Sequence, residues 1–373
     1  MKLISFYLPQ FHCIPENDKW WGEGFTEWVN IKKAKPLYDG HEQPVIPLNN
    51  NYYNLLDVET IKWQCELSKK YGLYGFCIYH YWFDGKLLLE KPMELLRDNP
   101  CIDTHYCICW ANEHWTNQWV STSEKVLIEQ RYGDEKDWKK HFDYLLTFFK
   151  DSRYIKEDNK PLLVIYRPEI IPCLNDMLDY WNKLSIDCGF AGINFAYQHV
   201  GFDLLKKRDD SRFKYNIEYQ PMYGMTFSKS GFKKLLSKLI SPIKKIFSKK
   251  NANLFSGLRK KLRITDYDHL WQKILSSPMI SEKSVPGAFV RWDNTPRKGN
   301  GGLVVKGETP TKFEKYLFAQ MERAKNIYHS DKLFIFAWNE WAEGGYLEPD
   351  EMYRYQYLEA IKKAVDAFND TDE

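Results

Sequence analysis

The sequence predicts a (β/α)₈ barrel, and two observations lead to this fold class. Eight short apolar, β-branched or aromatic runs recur along the 373 residues, and most are separated by stretches with helical periodicity. Alternating strands and helices form a parallel sheet, and eight such units close into a barrel. Long loops after several of the runs are typical of the functional face of that fold.

The predicted elements extend over the whole chain, so we expect one barrel domain over residues 1–373. The eight strands are predicted at 3–8, 75–81, 106–110, 162–166, 192–197, 215–219, 287–292 and 333–338. Helical periodicity is clearest at 58–71, 138–149, 173–184, 269–275 and 313–328.

Polar and aromatic residues follow each predicted strand. Barrel enzymes carry their chemistry at the C-terminal ends of the strands, so we expect these residues to line one rim and to contact a substrate. In chain order they are Tyr7, Gln10, His12, His80, Tyr81, Trp82, Trp110, Asn112, Glu113, Arg167, Gln198, Gln220, Trp292, Asp293, Trp338 and Asn339.

A long loop at residues 12–54 is expected to fold over the rim as a wall. It contains Trp21 and Glu27, which we predict to contact the substrate, and its later part is rich in turn formers such as Pro44 and Pro47.

Two carboxylates, Glu340 and Glu343, follow the last predicted strand three positions apart. One helical or turn-like step places such side chains about 5–6 Å apart, which is close to the separation of about 5–5.5 Å in retaining glycosidases. Two close carboxylates between aromatic walls raise one another's pKa, so one of them should hold a proton near neutrality. The alternative is that this segment only begins a solvated helix.

Composition narrows the function class. Aromatic residues make up 16% of the chain, with 14 Trp and 25 Tyr, as is common where ring faces bind carbohydrate. The eight cysteines show no framework spacing, which favours a reduced compartment. We expect no metal, no cofactor and no signal peptide, and therefore a soluble cytoplasmic protein.

A basic insertion interrupts the barrel pattern between the sixth and seventh strands. Residues 228–263 contain twelve Lys or Arg and no Asp or Glu, and the rest of the chain has a formal net charge of −9. Apolar residues recur there at helical spacing, with Pro242 as a kink. Such an amphipathic helix can lie on an anionic membrane, which would place the enzyme at the inner membrane, bind an acidic glycan, or pack on the barrel. No nucleic-acid module accompanies the charge.

Five motifs in order resemble the WbsX-like family, the bacterial branch related to glycoside hydrolase family 99. They are Tyr7-Leu8-Pro9-Gln10-Phe11-His12, Trp21-Gly22-Glu23-Gly24-Phe25-Thr26-Glu27-Trp28, Tyr79-His80-Tyr81-Trp82-Phe83-Asp84-Gly85-Lys86, Trp110-Ala111-Asn112-Glu113-His114-Trp115 and Trp338-Asn339-Glu340-Trp341-Ala342-Glu343-Gly344. The resemblance runs from residue 1 to about residue 360.

The resemblance implies a (β/α)₈ barrel that cleaves internal α-mannosidic bonds with retention. It assigns Glu340 as the base on the sugar 2-hydroxyl, giving a 1,2-anhydro intermediate, and Glu343 as the group that protonates the leaving oxygen and then activates water. Glu113 is a third candidate carboxylate. The sugar-contacting loops depart from those of the endo-mannosidases, so a specificity for mannose is not carried over.

Three functions stay open from the sequence. The first is a retaining, endo-acting glycoside hydrolase on a bacterial polysaccharide or O-antigen glycan. The second is a glycosyltransferase or transglycosylase that builds a lipopolysaccharide or capsular chain, and the third is a carbohydrate-binding protein without catalysis. Asp266-Tyr267-Asp268 could imitate an Asp-x-Asp metal motif, but its place before a helix favours helix capping.

Overall fold

The computed structural model describes residues 1–116, 126–200, 209–227 and 261–371. Its centre is a ring of eight parallel strands, which confirms the predicted barrel. The strands are β1 (Lys2–Tyr7), β2 (Gly75–Phe83), β3 (His105–Trp110), β4 (Lys160–Ile165), β5 (Asn194–His199), β6 (Phe213–Glu218), β7 (Ser284–Val285 with Gly287–Phe289) and β8 (Lys332–Phe336).

The ring closes through the two segments of β7. The segment Ser284–Val285 pairs with β6, and Gly287–Phe289 pairs with β8, which in turn pairs with β1. Pro286 separates the segments because it has no N–H to donate to a ladder. A Cβ atom on Gly287 would lie 2.0 Å from the carbonyl oxygen of Glu218, so only glycine allows the strands to approach this closely.

Helices pack around the ring. They are α1 (Val58–Lys70), α2 (Lys91–Asp98), α3 (Glu135–Phe149), α4 (Leu174–Asp187), α5 (Met222–Phe227), α6 (Tyr267–Ser276), α7 (Pro310–Asn326) and α8 (Gln356–Asp370). Shorter helices Pro15–Trp21, Trp28–Lys33 and Thr295–Lys298 lie in the loops after β1 and β7. Among the described residues, no helix is both long enough and apolar enough to cross a bilayer.

Helices α2, α5 and α8 lie outside the predicted helical stretches, and several strand ends differ from the prediction. Helix α2 has only eight residues, too few to show a clear period, and α8 follows a tyrosine-rich segment that hides its apolar spacing. The seventh strand was predicted at 287–292 but ends at Phe289, because Trp292 pairs antiparallel with Val305 in a separate small sheet.

Asp266 confirms the capping interpretation of Asp266-Tyr267-Asp268. Its carboxylate accepts a hydrogen bond of 2.7 Å from the backbone N–H of His269 in the first turn of α6. The Asp268 carboxylate contacts Lys312 and Tyr316 on α7, at 2.7 Å each. Asp266 therefore caps α6, and Asp268 connects α6 to α7.

A three-stranded sheet beside the barrel joins the loops after β6 and β7. Its strands are Arg263–Asp266, Leu303–Lys306 and Trp292–Asp293. The predicted basic helix at 228–263 lies outside the described residues up to position 260. The chain enters the description again directly before Arg263–Asp266, so the return end of the insertion is hydrogen-bonded into this sheet.

Two asparagines hold neighbouring strand ends together at the rim. The Asn112 side chain after β3 accepts from the backbone N–H of Arg167 and donates to its carbonyl, at 2.8 Å each. Asn339 after β8 does the same with Leu8 after β1, at 2.8 and 3.0 Å. Only an amide side chain can replace a peptide group in this way. Each asparagine extends the sheet by one rung and fixes the glutamate that follows it.

We expect Asn112→Leu to lower the free energy of unfolding by about 2–4 kcal/mol, because it removes both hydrogen bonds to the part-buried backbone of Arg167 and leaves the amide site filled by an apolar side chain. Chemical denaturation measures this, with Asn326→Leu as the control, since Asn326 is exposed at the end of α7. The control should change stability by no more than about 0.5 kcal/mol. Equal losses in the two variants would contradict a tethering role for Asn112.

Candidate active site

The two glutamates predicted to be catalytic lie on a tight hairpin after β8. The strands Asn339–Glu340 and Gly345–Tyr346 pair antiparallel, and the 3₁₀ turn Trp341–Glu343 joins them. The turn ends at Gly344, whose φ of 67° is left-handed. A Cβ atom on Gly344 would lie 2.8 Å from the backbone nitrogen of Asp293. Glycine is therefore required directly after Glu343.

One guanidinium contacts three carboxylates at this hairpin. Arg297 comes from the helix Thr295–Lys298 after β7, and its Nη1 lies 3.0 Å from Oε1 of Glu343. Its Nη2 lies 3.1 Å from Oε1 of Glu340 and 3.1 Å from Oε2 of Glu27. The predicted pair and Glu27 of the first loop are thus brought together by a residue that the sequence did not single out.

Burial sets the protonation of this cluster. The pKa of Glu340 is raised to about 8, mainly because burial removes water from its carboxylate. Arg297 opposes the rise, and the charges of Glu343 and Glu27 add to it. The pKa of Glu27 is also raised by burial, against the opposing charge of Arg297. The predicted raised pKa in the pair therefore falls on Glu340.

Glu348 connects the hairpin to neighbouring elements through hydrogen bonds. Its carboxylate accepts hydrogen bonds from Trp341 Nε1 and Gln64 Nε2 at 2.6 Å each, and from the Tyr53 hydroxyl at 2.7 Å. Burial raises its pKa to about 7, although the three donors oppose that rise. The 3₁₀ turn that carries Glu343 is thereby tied to α1 and to the first loop.

Tyrosines and two glutamines surround the carboxylates on the inner side of the strands. Gln10 Nε2 donates to the Tyr81 hydroxyl at 2.7 Å, and Gln198 Nε2 donates to the Tyr79 hydroxyl at 2.9 Å. The negative charge of Glu340 contributes to the raised pKa of Tyr81, after the larger effect of burial. Gln10, Tyr81 and Gln198 were predicted at this rim, whereas Tyr79 was not.

An aromatic wall continues from Tyr81. The ring of Trp115 lies 5.1 Å from that of Tyr81 and 6.4 Å from each of Trp20 and Trp21, measured between ring centroids. Trp20 and Trp21 are half-buried. Their rings provide flat apolar surface of the kind that stacks on sugar rings.

Glu113 lies at the end of β3, in an ion pair with Arg167, whose Nε also lies 2.6 Å from Glu169. Tyr166, directly before Arg167, is acted on by the charges of both Glu113 and Glu343. Burial raises its pKa most, and the charges of Glu113 and Glu343 both add to that effect. Glu113 is thus on the rim with the pair, and 41% of its side chain is exposed.

Five predicted substrate contacts lie elsewhere, buried between the sheet and the helices. Side chains alternate along a strand, so the neighbours of inward-facing Tyr79 and Tyr81 must face outward. The five are Tyr7, which donates to Gln64, His80 and Trp82, which contact His141 of α3, Trp110, which packs on Trp181, and Trp338, which packs on Phe76. Their placement is that of packing residues.

Three further residues that were predicted to contact the substrate are hydrogen-bonded within the protein or buried. Asp293 accepts from Gln43 Nε2 at 2.7 Å and from the Thr295 backbone and hydroxyl at 2.9 and 2.6 Å. Gln220 accepts from the Gly224 N–H at 3.0 Å. His12 is buried, which lowers its pKa to about 4 and keeps it neutral.

Trp292 packs on Phe336 and, with Asp293, lines a cavity of about 180 Å³ beside Gly344. Within the described ranges, no group of three or more His, Cys, Asp or Glu is arranged to hold a metal ion.

Solved structures share this architecture at low sequence identity. An endo-α-mannosidase of glycoside hydrolase family 99 from Bacteroides thetaiotaomicron superposes with a TM-score of 0.59 at 14% identity, covering 99% of this chain and 98% of that one. A glycoside hydrolase-like protein gives a TM-score of 0.59 at 12% identity, covering 97% and 93%. These likenesses establish the fold.

Sequence relatives place the chain in a family. It is 33% identical over 365 residues to protein WxcX of Xanthomonas campestris pv. campestris, covering 97% of this chain and 49% of the relative. The chain thus spans about half the length of that relative. The family model described as glycosyltransferase WbsX matches residues 3–361. The chain belongs to the WbsX glycosyltransferase family.

Proposed function

We propose that the protein is a retaining glycoside hydrolase that acts within the chain of a bacterial polysaccharide or O-antigen glycan. The observation that carries this proposal is the pairing of Glu340 and Glu343 on one guanidinium at the C-terminal end of β8. That is the end of the barrel where such enzymes hold their catalytic groups. The shared fold with a family 99 endo-α-mannosidase supports the same class of reaction.

In the proposed mechanism, Glu340 takes the proton of the sugar 2-hydroxyl while that oxygen attacks C1. The C1–O bond to the leaving sugar breaks, and Glu343 gives its proton to the departing oxygen. Glu343 then takes a proton from water, which opens the 1,2-anhydro ring at C1, and Glu340 returns its proton to O2. Two inversions at C1 give retention.

The exposure of the two carboxyls fits these roles. Glu343 is 19% exposed and Glu340 is 5% exposed. The group that must meet both the leaving oxygen and water is the more open one. A pKa near 8 makes Glu340 a stronger base than an ordinary carboxylate once it is ionised.

Sugar units on either side of the cleaved bond would contact the rim. We propose that the half-buried Trp20 and Trp21 stack on one unit and that Glu113 accepts hydrogen bonds from the hydroxyls of another. Arg167 forms an ion pair with Glu113 and would orient its carboxylate for that purpose.

Glycosyl transfer is the second candidate, because the family model carries the description of a glycosyltransferase. A transglycosylase would use the same carboxylate pair with a sugar hydroxyl in place of water. Binding without catalysis is the third, but it gives no reason for two carboxylates on one arginine at a rim.

A panel of O-antigen and capsular glycans, incubated with and without nucleotide sugars and examined by mass spectrometry, distinguishes the three. We expect new reducing ends without nucleotide sugar. Growth of the glycan only with nucleotide sugar would favour transfer, and affinity without any change of mass would favour binding alone.

We expect Glu343→Gln to lower kcat on natural glycans by about 10²–10⁴-fold, because it removes the group that protonates the leaving oxygen. Activity should be partly restored on activated aryl glycosides, whose leaving groups need no proton. Glu340→Gln should be severe on both substrates, because it acts at the sugar itself.

Glu113→Gln is the matched control, since it changes a third carboxylate of the rim that has no role at C1 in this mechanism. It should affect KM more than kcat. If Glu340→Gln left activity intact, Glu113 would become the better candidate for the base.

The raised pKa of Glu340 also predicts how activity changes with pH. In Glu343→Gln acting on an activated aryl glycoside, no proton donor is needed and only Glu340 must be ionised, so kcat/KM should rise with pH through an acid limb close to neutrality or above, set by the raised pKa of Glu340. A limb in the ordinary glutamate range near pH 4.5 would contradict the assignment of Glu340.

We also propose that the basic segment 228–263 brings the enzyme to an anionic surface, either a membrane or an acidic glycan, because it carries twelve cationic and no acidic side chains. Flotation with anionic liposomes tests the membrane, with neutral liposomes as the control. Unchanged binding after removal of residues 229–261 would contradict a membrane role.

A further inference from the structure

The contacts of Arg297 indicate different roles for the carboxylates of Glu27, Glu340 and Glu343. Its Nη1 contacts Glu343 and its Nη2 contacts Glu340, so the two donors of one rigid, planar group reach both members of the pair. Its Nε, at 3.2 Å, and its Nη2 also donate to Glu27 Oε2. Glu27 therefore contacts the edge of the guanidinium formed by Nε and Nη2. Glu340 and Glu343 contact its Nη2 and Nη1 atoms.

From this geometry we infer that Glu27 and Arg297 act together as positioning residues for the reaction: Arg297 holds the carboxylates of Glu340 and Glu343 in place, and Glu27 fixes Arg297. This inference rests on the proposed function of the pair. Glu27 was predicted to contact the substrate, but only 2% of its side chain is exposed, which leaves a sugar no access to it.

Three separate loops contribute to the cluster. Glu27 lies in the loop after β1, Arg297 follows β7, and the glutamate pair follows β8. Because the ion pairs join residues of all three loops, the cluster fixes the positions of these loops relative to one another. In such a site, misplacing a reacting group by about 1 Å can cost about 10²-fold in rate.

The charges in the cluster do not balance. Three carboxylates share one guanidinium, and Glu27, Glu340 and Arg297 are almost fully buried. Tyr81 and Tyr219 are the other titratable groups on which the charge of Glu340 acts. Glu27 competes with Glu340 for the charge of Arg297, so Glu27 helps Glu340 to keep a proton.

Protein stability gives a test that needs no substrate. Glu340 is protonated in the folded protein up to about pH 8 and is ionised in the unfolded chain above about pH 4.5. Its contribution to stability therefore declines as pH rises through that window. The difference in unfolding free energy between Glu340→Gln and the wild type should grow with pH and become constant above the pKa in the folded state.

The effect of Glu340→Gln on the unfolding free energy is then measured, as a function of pH, in protein that also carries Glu27→Gln. Removing the charge of Glu27 should move the upper break of the curve, the pH above which the difference is constant, to lower pH, because that charge raises the pKa of Glu340. Buried Glu218 and Glu348 titrate in both members of each comparison, so their contributions cancel. The control background is Glu23→Gln, an exposed glutamate of the same loop, which should leave the break unchanged.

Arg297→Lys tests the planar contact, because lysine keeps the charge but cannot contact both carboxylates with a rigid fork. On a glycan that the wild type cleaves, we expect kcat to fall about 10²-fold. KM should change little, since Arg297 is buried away from the substrate. If the Glu27→Gln background left the break unchanged, or Arg297→Lys kept full kcat, the inference would be wrong while the proposed function could stand.

The two failures can be told apart. Cleavage by the wild type without coupling between Glu27 and Glu340 contradicts only the positioning role. Coupling without cleavage of any glycan contradicts the proposed function, and the positioning role in catalysis falls with it.

Discussion

The ion pairs of one buried arginine determine the arrangement of the whole rim. Without Arg297, the carboxylates of Glu27, Glu340 and Glu343 would face one another in a region from which water is largely excluded. Buried charges are tolerated only when they are paired, and removing one partner costs about 3–5 kcal/mol. Arg297 supplies the countercharge at the point where the loops after β1, β7 and β8 meet.

Support from outside the cluster makes the arrangement rigid. Asn339 ties the hairpin to the end of β1, and Glu348 ties the 3₁₀ turn to α1. The hairpin is thus fixed at its start by Asn339 and at its turn by Glu348. Arg297 contacts the side chains of Glu340 and Glu343. Sites that catalyse bond cleavage need this precision, since supporting contacts must hold reacting groups to within about 0.5 Å.

The barrel could be predicted from the sequence because each strand is a contiguous apolar run, and such runs reveal their period locally. The rim was predicted less well, for two reasons. Alternation along β2 and β3 turns His80, Trp82 and Trp110 toward the helices, and the position of a strand end does not reveal the direction of its side chains. Arg297 was missed because its partners are 43 or more positions away in the sequence.

The small sheet beside the barrel gives the basic insertion a fixed point of attachment. Its return strand, Arg263–Asp266, is hydrogen-bonded to Leu303–Lys306, which pairs with the strand directly before the helix of Arg297. One end of the insertion is therefore anchored two strands from the residue that organises the carboxylates. A surface that binds Arg263, the described end of the insertion, is therefore separated from the segment that carries Arg297 by a single strand of this sheet.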